Sequence, residues 1–269
     1  MTLIILVRHG QTDDNASGRI SGQGPVPLNA RGREQAQLVG EVLASLGVTH
    51  LFASPVVRAR QTAEILAARL QLGLTEISEL REVGYGEWEG RSFGEIRGHA
   101  IAQQVFHDPF HAVFPRGESL RAVQQRGVRV IEAVRQTYPQ GVVVLVSHGD
   151  VIRTALAHYL GMAFNDYRRI TLDNGAISVL ELFDHWIRVK AVNFVPQVGQ
   201  LWLESFYETW QKTQQLVPTP SLASSDGVYQ CTAIPLLCNS GSNESSEIKS
   251  SSSFPTGTSS AGARCNPPM

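Results

Sequence analysis

The sequence has few cysteines, few lysines and no long apolar run. Its three cysteines all lie within residues 231–265, so the first 230 residues can hold no disulfide framework, cysteine-ligated zinc site or cysteine nucleophile. No apolar run approaches the roughly 20 residues that cross a bilayer, and the run at residues 3–7 is too short for the core of a signal peptide. We therefore expect a cytoplasmic protein that does not bind membranes.

Neither sign of charge dominates the chain. The 269 residues include 23 Lys+Arg and 24 Asp+Glu, which gives a formal net charge of −1. This balance argues against a nucleic-acid partner, although it leaves room for a local basic pocket. Twenty of the 23 basic residues are arginines, so the positions of the arginines are more informative than their number.

Strand-like and helix-like patterns alternate over residues 1–196. Residues 3–7 and 142–146 are continuous apolar runs, typical of parallel strands buried on both faces, and residues 50–53 form a shorter run. Two late strands, 176–183 and 186–194, are separated by too little chain for a helix and should form a hairpin. This alternation predicts one α/β domain with a mostly parallel sheet.

Helical spacing of apolar residues follows each early strand. We expect Ser54 and Pro55 to begin one of these helices and Asp150 to cap another. Beyond residue 196, a C-terminal helix could occupy residues 197–217. Residues 218–269 should form a disordered tail, because from Thr219 onward 13 of 51 residues are serine and only 5 are charged.

Basic side chains follow the strands at the points where the strands end. Arg8 and His9 follow the first strand, His148 follows the strand at 142–146, and Arg58 lies in the helix after residue 53. Ligands of parallel sheets bind at the carboxyl ends of the strands. Guanidinium groups match phosphate oxygens, and a neutral imidazole can attack phosphorus. These residues therefore predict a phosphate site, and no carboxylate cluster or histidine spacing suggests a metal.

Further short segments accompany these residues. In order they are Leu6-Val7-Arg8-His9-Gly10-Gln11-Thr12, Asn15, Gly18-Arg19-Ile20-Ser21-Gly22, Pro27-Leu28-Asn29-Ala30-Arg31-Gly32, Gln35-Ala36, Ser54-Pro55, Arg58-Ala59, Gln61-Thr62-Ala63, Leu80-Arg81-Glu82, Gly86-Glu87-Trp88-Glu89-Gly90, Gly117-Glu118-Ser119, Ser147-His148-Gly149 and Asn174-Gly175. Together, over residues 1 to about 195, they resemble the histidine phosphatase superfamily, which includes phosphoglycerate mutases, fructose-2,6-bisphosphatases and small broad-specificity phosphatases. The resemblance implies a phosphoglycerate mutase-like, three-layer α/β/α fold and no cofactor.

The resemblance also implies a role for each matching residue. His9 would be the nucleophile that forms a phosphohistidine, and Glu82 would protonate the leaving oxygen and then activate water. The groups around the phosphoryl oxygens would be Arg8, Arg58, His148 and Asn15. As an acid near neutrality, Glu82 should have a pKa raised from ~4.3 toward 6 or 7. The residues themselves do not separate Glu82 from its neighbours Glu79, Glu87 and Glu89.

Three functions remain open on the sequence. Only 26 residues separate Gly90 from Gly117, whereas the family's mutases carry a long insertion there, so hydrolysis of small phosphorylated metabolites is favoured. A mutase comes second, because Asn15, Ser21 and Gly22 match positions that mutases use for substrate. A catalytically silent domain that binds a phospholigand or a protein partner comes third.

The interval between these two glycines should form a lid over the site. Its phenylalanines, among them Phe93, Phe106 and Phe114, could admit an aromatic leaving group, but we expect them simply to bury the lid helix. His107 and His111 lie four residues apart, but the intervening proline disfavours a helix and hence a metal site. An α-ribazole phosphate or a sugar phosphate would fit as well as phosphoglycerate. Hydrophobic strand edges would favour a homodimer.

Overall fold

The computed structural model describes residues 1–197, which form a six-stranded sheet with helices on both faces. The strands are β1 (Thr2–Arg8), β2 (His50–Ala53), β3 (Leu74–Glu76), β4 (Val142–Ser147), β5 (Ile177–Leu182) and β6 (Ile187–Phe194). The helices are α1 (Asp13–Ser17), α2 (Ala30–Leu43), α3 (Val57–Leu70), α4 (Phe93–Ile96), α5 (Ala100–His107), α6 (Leu120–Thr137) and α7 (Gly149–Tyr159). Short 3-10 turns occupy Ser78–Leu80, Gly86–Trp88 and Phe164–Arg169. None of the helices within these residues is long and apolar enough to cross a lipid bilayer.

Two segments for which the sequence made predictions fall beyond this part of the chain. The C-terminal helix over 197–217, apart from its first residue, and the serine-rich tail over 218–269 lie outside the described residues. Both stay predictions.

The strands run in the order β3-β2-β4-β1-β5-β6. The first four are parallel to one another, whereas β5 is antiparallel to β1 and β6 is antiparallel to β5. A parallel pair needs a crossover of a dozen or more residues, which the short connection between β5 and β6 cannot supply. The predicted mostly parallel sheet and the predicted C-terminal hairpin are both confirmed.

Strand β1 shows why the fold has three layers. Leu3, Ile5 and Val7 pack with the apolar residues of α2 and α3 on one face of the sheet. Ile4 and Leu6 pack with those of α6 and α7 on the other face. Successive side chains of a strand point to opposite faces, so a continuous apolar run requires a helical layer on each side. The predicted α/β/α architecture is confirmed.

Two predicted helix starts are wrong. Helix α3 begins at Val57 rather than at Ser54 and Pro55, and α7 begins directly after His148, so that Asp150 lies within its first turn. In both cases the polar side chain forms hydrogen bonds with other side chains of the site instead of capping the helix. The Ser54 hydroxyl lies 2.7 Å from Nε2 of His148, and the Asp150 carboxylate accepts hydrogen bonds from other side chains of the site.

The loop after β1 touches the start of α2 backbone to backbone. A Cβ atom on Gly10 would lie 2.2 Å from the carbonyl oxygen of Gly32, and a Cβ on Gly32 would lie 2.1 Å from that of Gln11. Gln11 also accepts a hydrogen bond from the Asn29 N–H at 3.0 Å. Because only glycine permits this approach, the two glycines determine where the loop that follows His9 lies.

We expect Gly32→Ala to lower the free energy of unfolding by about 1–3 kcal/mol, the usual cost of forcing an extra methyl group into a packed region. Urea denaturation followed by circular dichroism measures the change. Gly73→Ala is the matched control, because a Cβ at Gly73 meets no atom within 4 Å. Equal stability of the two variants would contradict the importance of this contact.

Candidate active site

A cavity of about 570 Å³ opens at the carboxyl edge of the parallel strands. Its volume lies in the range of pockets that bind small molecules. Seven of the eight site residues predicted from the sequence line it: Arg8, His9, Asn15, Ser21, Gly22, Arg58 and Glu82. The eighth, His148, is fully buried beside His9, with the two ring centroids 5.2 Å apart. The tertiary structure thus brings all eight together.

His9 is a buried, neutral imidazole whose proton position can be assigned. Its Nδ1 lies 2.7 Å from the carbonyl oxygen of Gly10, and because a carbonyl can only accept, Nδ1 carries the proton. Nε2 therefore holds the lone pair, and it accepts a hydrogen bond from Nε of Arg58 at 3.0 Å. Burial and the cationic Arg58 and Arg8 lower the pKa of His9 well below its ordinary value. The ring is thus a potential nucleophile at Nε2.

Arg58 comes from the first turn of α3 and is only 2 % exposed. Its Nη2 donates to the carbonyl oxygen of Gly22 at 2.7 Å and its Nη1 to that of Gly24 at 3.3 Å. Gly22 has a φ of +50°, and a Cβ there would lie 2.2 Å from Oε1 of Glu89. Glycine is therefore required at a position whose carbonyl orients the guanidinium. Arg8, at the end of β1, is held by the Leu172 carbonyl oxygen, 2.5 Å from its Nη1.

Two buried nitrogen atoms of the site lack hydrogen-bond partners within the described residues, namely Nε of Arg8 and Nδ1 of His148. The Ser54 oxygen has two polar contacts within residues 1–197, the N–H of Val56 at 3.2 Å and Nε2 of His148 at 2.7 Å. Because an N–H group can only donate, Nε2 is the contact that can accept the hydroxyl hydrogen. This arrangement leaves the proton of His148 on Nδ1. A buried donor without a partner is costly and uncommon in proteins, so a pair of them suits an anion bound between the two histidines and the two arginines.

Glu82 follows the turn Ser78–Leu80 and is 8 % exposed. Burial is the main reason that its pKa is raised to about 6, and the Asp150 carboxylate adds to the effect. The charge of Arg58 and the N–H of Val83, which lies 3.0 Å from Oε1, act in the opposite direction. Near neutral pH this carboxyl can both deliver and accept a proton.

The degree of burial distinguishes Glu82 from the other glutamates nearby. Glu87 is exposed, and Glu79 and Glu89 are half-buried. Glu89 has a structural task, since its Oε1 accepts the backbone N–H groups of Gln23 and Tyr85, each at 3.2 Å. It thereby ties the loop that orients Arg58 to the segment that follows Glu82.

The backbone of Glu82 is held by a residue that sequence reasoning missed. Its carbonyl oxygen accepts hydrogen bonds from Nη2 of Arg126 and Nε2 of Gln23, both at 3.0 Å. Arg126 in turn pairs with Glu118 at 3.1 Å, and Glu118 accepts the N–H of Gly84 at 2.8 Å. An arginine within the apolar stripe of α6 is the signal that could have found it.

Asp150 and its partners were also missed as site residues. Its carboxylate accepts hydrogen bonds from the Tyr85 hydroxyl at 2.5 Å and from Nη1 of Arg153 at 3.0 Å, and all three residues line the cavity. Their grouping had no signal in the sequence, because Tyr85 lies 65 residues before Asp150 in the chain, although Arg153 shares α7 with Asp150. Across residues 1–197, no three His, Cys, Asp or Glu side chains form a group that could hold a metal ion.

Asn15 and Ser21, which also line the cavity, are held by polar contacts. Oδ1 of Asn15 accepts hydrogen bonds from Nδ2 of Asn174 at 3.0 Å and from the Thr12 N–H at 3.2 Å. Because its oxygen is engaged, the amide nitrogen is the end able to donate to a ligand. The Ser21 hydroxyl donates to Asp14 at 2.9 Å.

The geometry agrees with what comparison with known proteins finds. A model of the Histidine phosphatase superfamily (branch 1) matches residues 4–195. The chain belongs to this superfamily, an assignment that the sequence motifs predicted. It is also 36 % identical to a protein named probable phosphoglycerate mutase from Salmonella arizonae, over 66 % of this chain and 84 % of that protein. A counterpart from Salmonella paratyphi B is 36 % identical over 67 % of this chain and 85 % of its own length.

Solved structures with the same fold include named phosphatases. A phosphoserine phosphatase from Entamoeba histolytica, crystallised with 3-phosphoglyceric acid, is 27 % identical with a TM-score of 0.66, covering 72 % of this chain and 98 % of that one. An alpha-ribazole phosphatase from Shigella flexneri is 28 % identical with a TM-score of 0.66, covering 74 % and 99 %. The chain is therefore of the phosphatase or phosphoglycerate mutase type.

We expect the Glu82 carboxyl to titrate near pH 6 in the folded protein. Because this pKa exceeds the ordinary value of 4.5, the folded protein keeps a proton that the unfolded chain releases as the pH rises through this window. Ionisation of Glu82 therefore costs stability between about pH 4.5 and 6. The free energy of unfolding of Glu82→Gln, relative to that of the wild type, should therefore increase by on the order of 2 kcal/mol between pH 4 and pH 7.

Carbon-13 NMR of the carboxyl carbon and urea denaturation at the two pH values measure these two quantities. Asp150→Asn is a second test, since removing a negative charge that raises the pKa of Glu82 should lower it. A titration midpoint near pH 4.5 in the wild type would contradict the assignment.

Proposed function

We propose that this protein hydrolyses phosphomonoesters of small metabolites through a phosphohistidine formed on His9, without a metal ion. The observation that carries the proposal is the state of His9, a buried neutral ring whose lone pair at Nε2 meets the guanidinium of Arg58 at 3.0 Å. An anion that contacts Arg58 must come close to the lone pair, so the site attracts phosphate to its own nucleophile. A cytoplasmic location stays a prediction.

The first chemical step would transfer the phosphoryl group to the enzyme. Nε2 of His9 donates its electron pair to phosphorus, and the bond between phosphorus and the ester oxygen breaks. The leaving oxygen takes the proton of the Glu82 carboxyl, which is available because the pKa of that group is raised to about 6. The products are an alcohol, a phosphohistidine and a Glu82 carboxylate. Arg8, Arg58 and Nδ1 of His148 stabilise the charge on the phosphoryl oxygens.

The second step would return the enzyme to its starting state. The Glu82 carboxylate accepts a proton from water while the water oxygen attacks phosphorus. The bond between phosphorus and Nε2 breaks, and its electron pair returns to the ring. Orthophosphate leaves, and Glu82 again carries its proton. One carboxyl group thus acts first as an acid and then as a base, which suits a pKa near the working pH.

Phosphatases among the structural relatives support hydrolysis, and so does the short interval between Gly90 and Gly117. The curated relatives named probable phosphoglycerate mutases favour a second candidate, transfer of the phosphoryl group within a phosphoglycerate. Both reactions would use the same first step, so they differ only in whether water or a second hydroxyl group receives the phosphoryl group. Product analysis is needed to separate them.

We expect His9→Ala to reduce phosphate release at least about 1,000-fold, because it removes the nucleophile. One assay measures the phosphate released from a panel of phosphomonoesters in EDTA. A second assay follows the conversion of 3-phosphoglycerate into its isomers, with and without 2,3-bisphosphoglycerate. His111→Ala, an exposed histidine outside the cavity, is the control and should retain wild-type turnover. Isomer exchange with little release would instead identify a mutase. Binding of phosphate analogues without either reaction would favour the silent domain.

We expect Glu82→Gln to lower kcat for alkyl phosphates by about 100- to 10,000-fold, the usual loss when a general acid is removed. The amide cannot protonate the leaving oxygen or activate water, yet it keeps the shape of the side chain. The phosphorylated enzyme should accumulate from an ester with a good leaving group. Rapid alkaline quenching should preserve it as an alkali-stable phosphohistidine, and later acid treatment should release its phosphate. Wild-type turnover by Glu82→Gln would remove Glu82 from the mechanism.

A further inference from the structure

Two groups of residues line the cavity. Arg8, Arg58 and His9 form the first group, which we call the phosphate end. Apolar side chains that include Trp88, Ile96, Val105 and Phe114 form the second group, which we call the apolar end. A phosphoryl group held between Arg8 and Arg58 needs only the first end, so the second end is where the remainder of a substrate would lie.

Aromatic rings that support one another form one wall of this apolar end. Trp88 and Phe114 are 4 % and 2 % exposed. Their rings pack edge to face with centroids 5.2 Å apart, and Tyr85 packs in the same way on Phe114 at 4.7 Å. Rings locked in this manner offer a rigid apolar surface. The expectation that lid phenylalanines simply bury the lid is correct for Phe114.

That expectation is wrong for Phe93 and Phe106. These two phenylalanines come from α4 and α5, line the cavity and remain 60 % and 58 % exposed. Large apolar side chains left in contact with water at the edge of a pocket are typical of a binding surface. The guanidinium of Arg168 lies 4.5 Å from the ring centroid of Phe106 and also lines the cavity, so the stacked pair presents a flat face.

The three further arginines that line the cavity have partners within the protein. Arg153 is paired with Asp150 at 3.0 Å, Arg19 donates to the carbonyl oxygen of Gly90 at 3.0 Å, and Arg168 stacks on Phe106 and donates to the Tyr167 hydroxyl at 2.9 Å. We propose that the site selects phosphomonoesters whose leaving group carries an aromatic ring or a similarly flat, apolar group, held between the Trp88–Phe114 wall and the Phe93–Phe106 rim. This inference rests on the proposed hydrolysis.

The test compares esters that differ in apolar surface but not in the kind of oxygen that leaves. Ethyl phosphate, 2-phenylethyl phosphate and 3-phosphoglycerate all release a primary alcohol. We expect kcat/KM to be at least about 10-fold higher for 2-phenylethyl phosphate than for the other two, since groups that fill an apolar pocket contribute on this scale. Phe106→Ala should lower the ratio of kcat/KM for 2-phenylethyl phosphate to that for ethyl phosphate by about 5-fold or more.

Trp186→Ala is the matched control. Trp186 is 47 % exposed and stacks with Arg188 at 4.8 Å, much as Phe106 does with Arg168, but it does not line the cavity. It should leave the ratio unchanged. Thermal unfolding of both variants verifies that they fold.

Each outcome separates this inference from the function on which it rests. Equal turnover of the three esters, or a higher kcat/KM for 3-phosphoglycerate, would overturn the selection of a flat apolar group and leave hydrolysis intact. An equal loss for ethyl and 2-phenylethyl phosphate in Phe106→Ala would also overturn it, because Phe106 would then only shape the site. If His9→Ala retained wild-type activity toward all three esters, the hydrolytic mechanism itself would fail.

Discussion

The parallel pairing of β1 with β4 is the constraint on which the site depends. Its register places Arg8 opposite Ser147, so His9 and His148 leave the sheet side by side and their rings come within 5.2 Å. The pairing of β2 with β4 brings Ser54 to the same edge, where it reaches His148. A slip of one residue in either pairing would turn these side chains to opposite faces of the sheet.

Burial at this edge has opposite effects on acids and bases, and the proposed chemistry needs both. It lowers the pKa of His9 and His148, because a cationic ring would lack water beside two guanidinium groups. It raises the pKa of Glu82, because a carboxylate would lack water beside Asp150. At one pH near neutrality the nucleophile is therefore neutral while the carboxyl group can hold its proton. Opposite pKa shifts of two neighbouring groups, which leave the carboxyl group able to hold a proton and the imidazole without one, are the pattern expected of an acid and nucleophile pair.

Local sequence signals predicted the strands well and the helix starts less well. Apolar runs identify β1 and β4 because burial on both faces leaves no room for polar residues. Ser54 and Asp150 have the chemistry of caps, but distant partners use their side chains instead. The lid phenylalanines show the same limit: Phe114 is buried and Phe106 is exposed, although both are the same residue type in one segment. Neighbouring sequence cannot report a partner that comes from elsewhere in the chain.

The sequence by itself determined that the chain is an α/β protein with His9, His148, Arg8 and Arg58 at the ends of strands or the start of a helix. Chain order and hydrophobic pattern suffice for that, because a strand buried on both faces shows its burial in the apolar character of successive residues. Only the tertiary structure decided which glutamate side chain is buried away from solvent, that Arg126 holds the backbone of Glu82, and that one end of the cavity is apolar. These properties depend on groups distant in the chain, such as Arg126, which lies 44 residues from Glu82. Desolvation and hydrogen bonding are set by what packs against a side chain rather than by what precedes it.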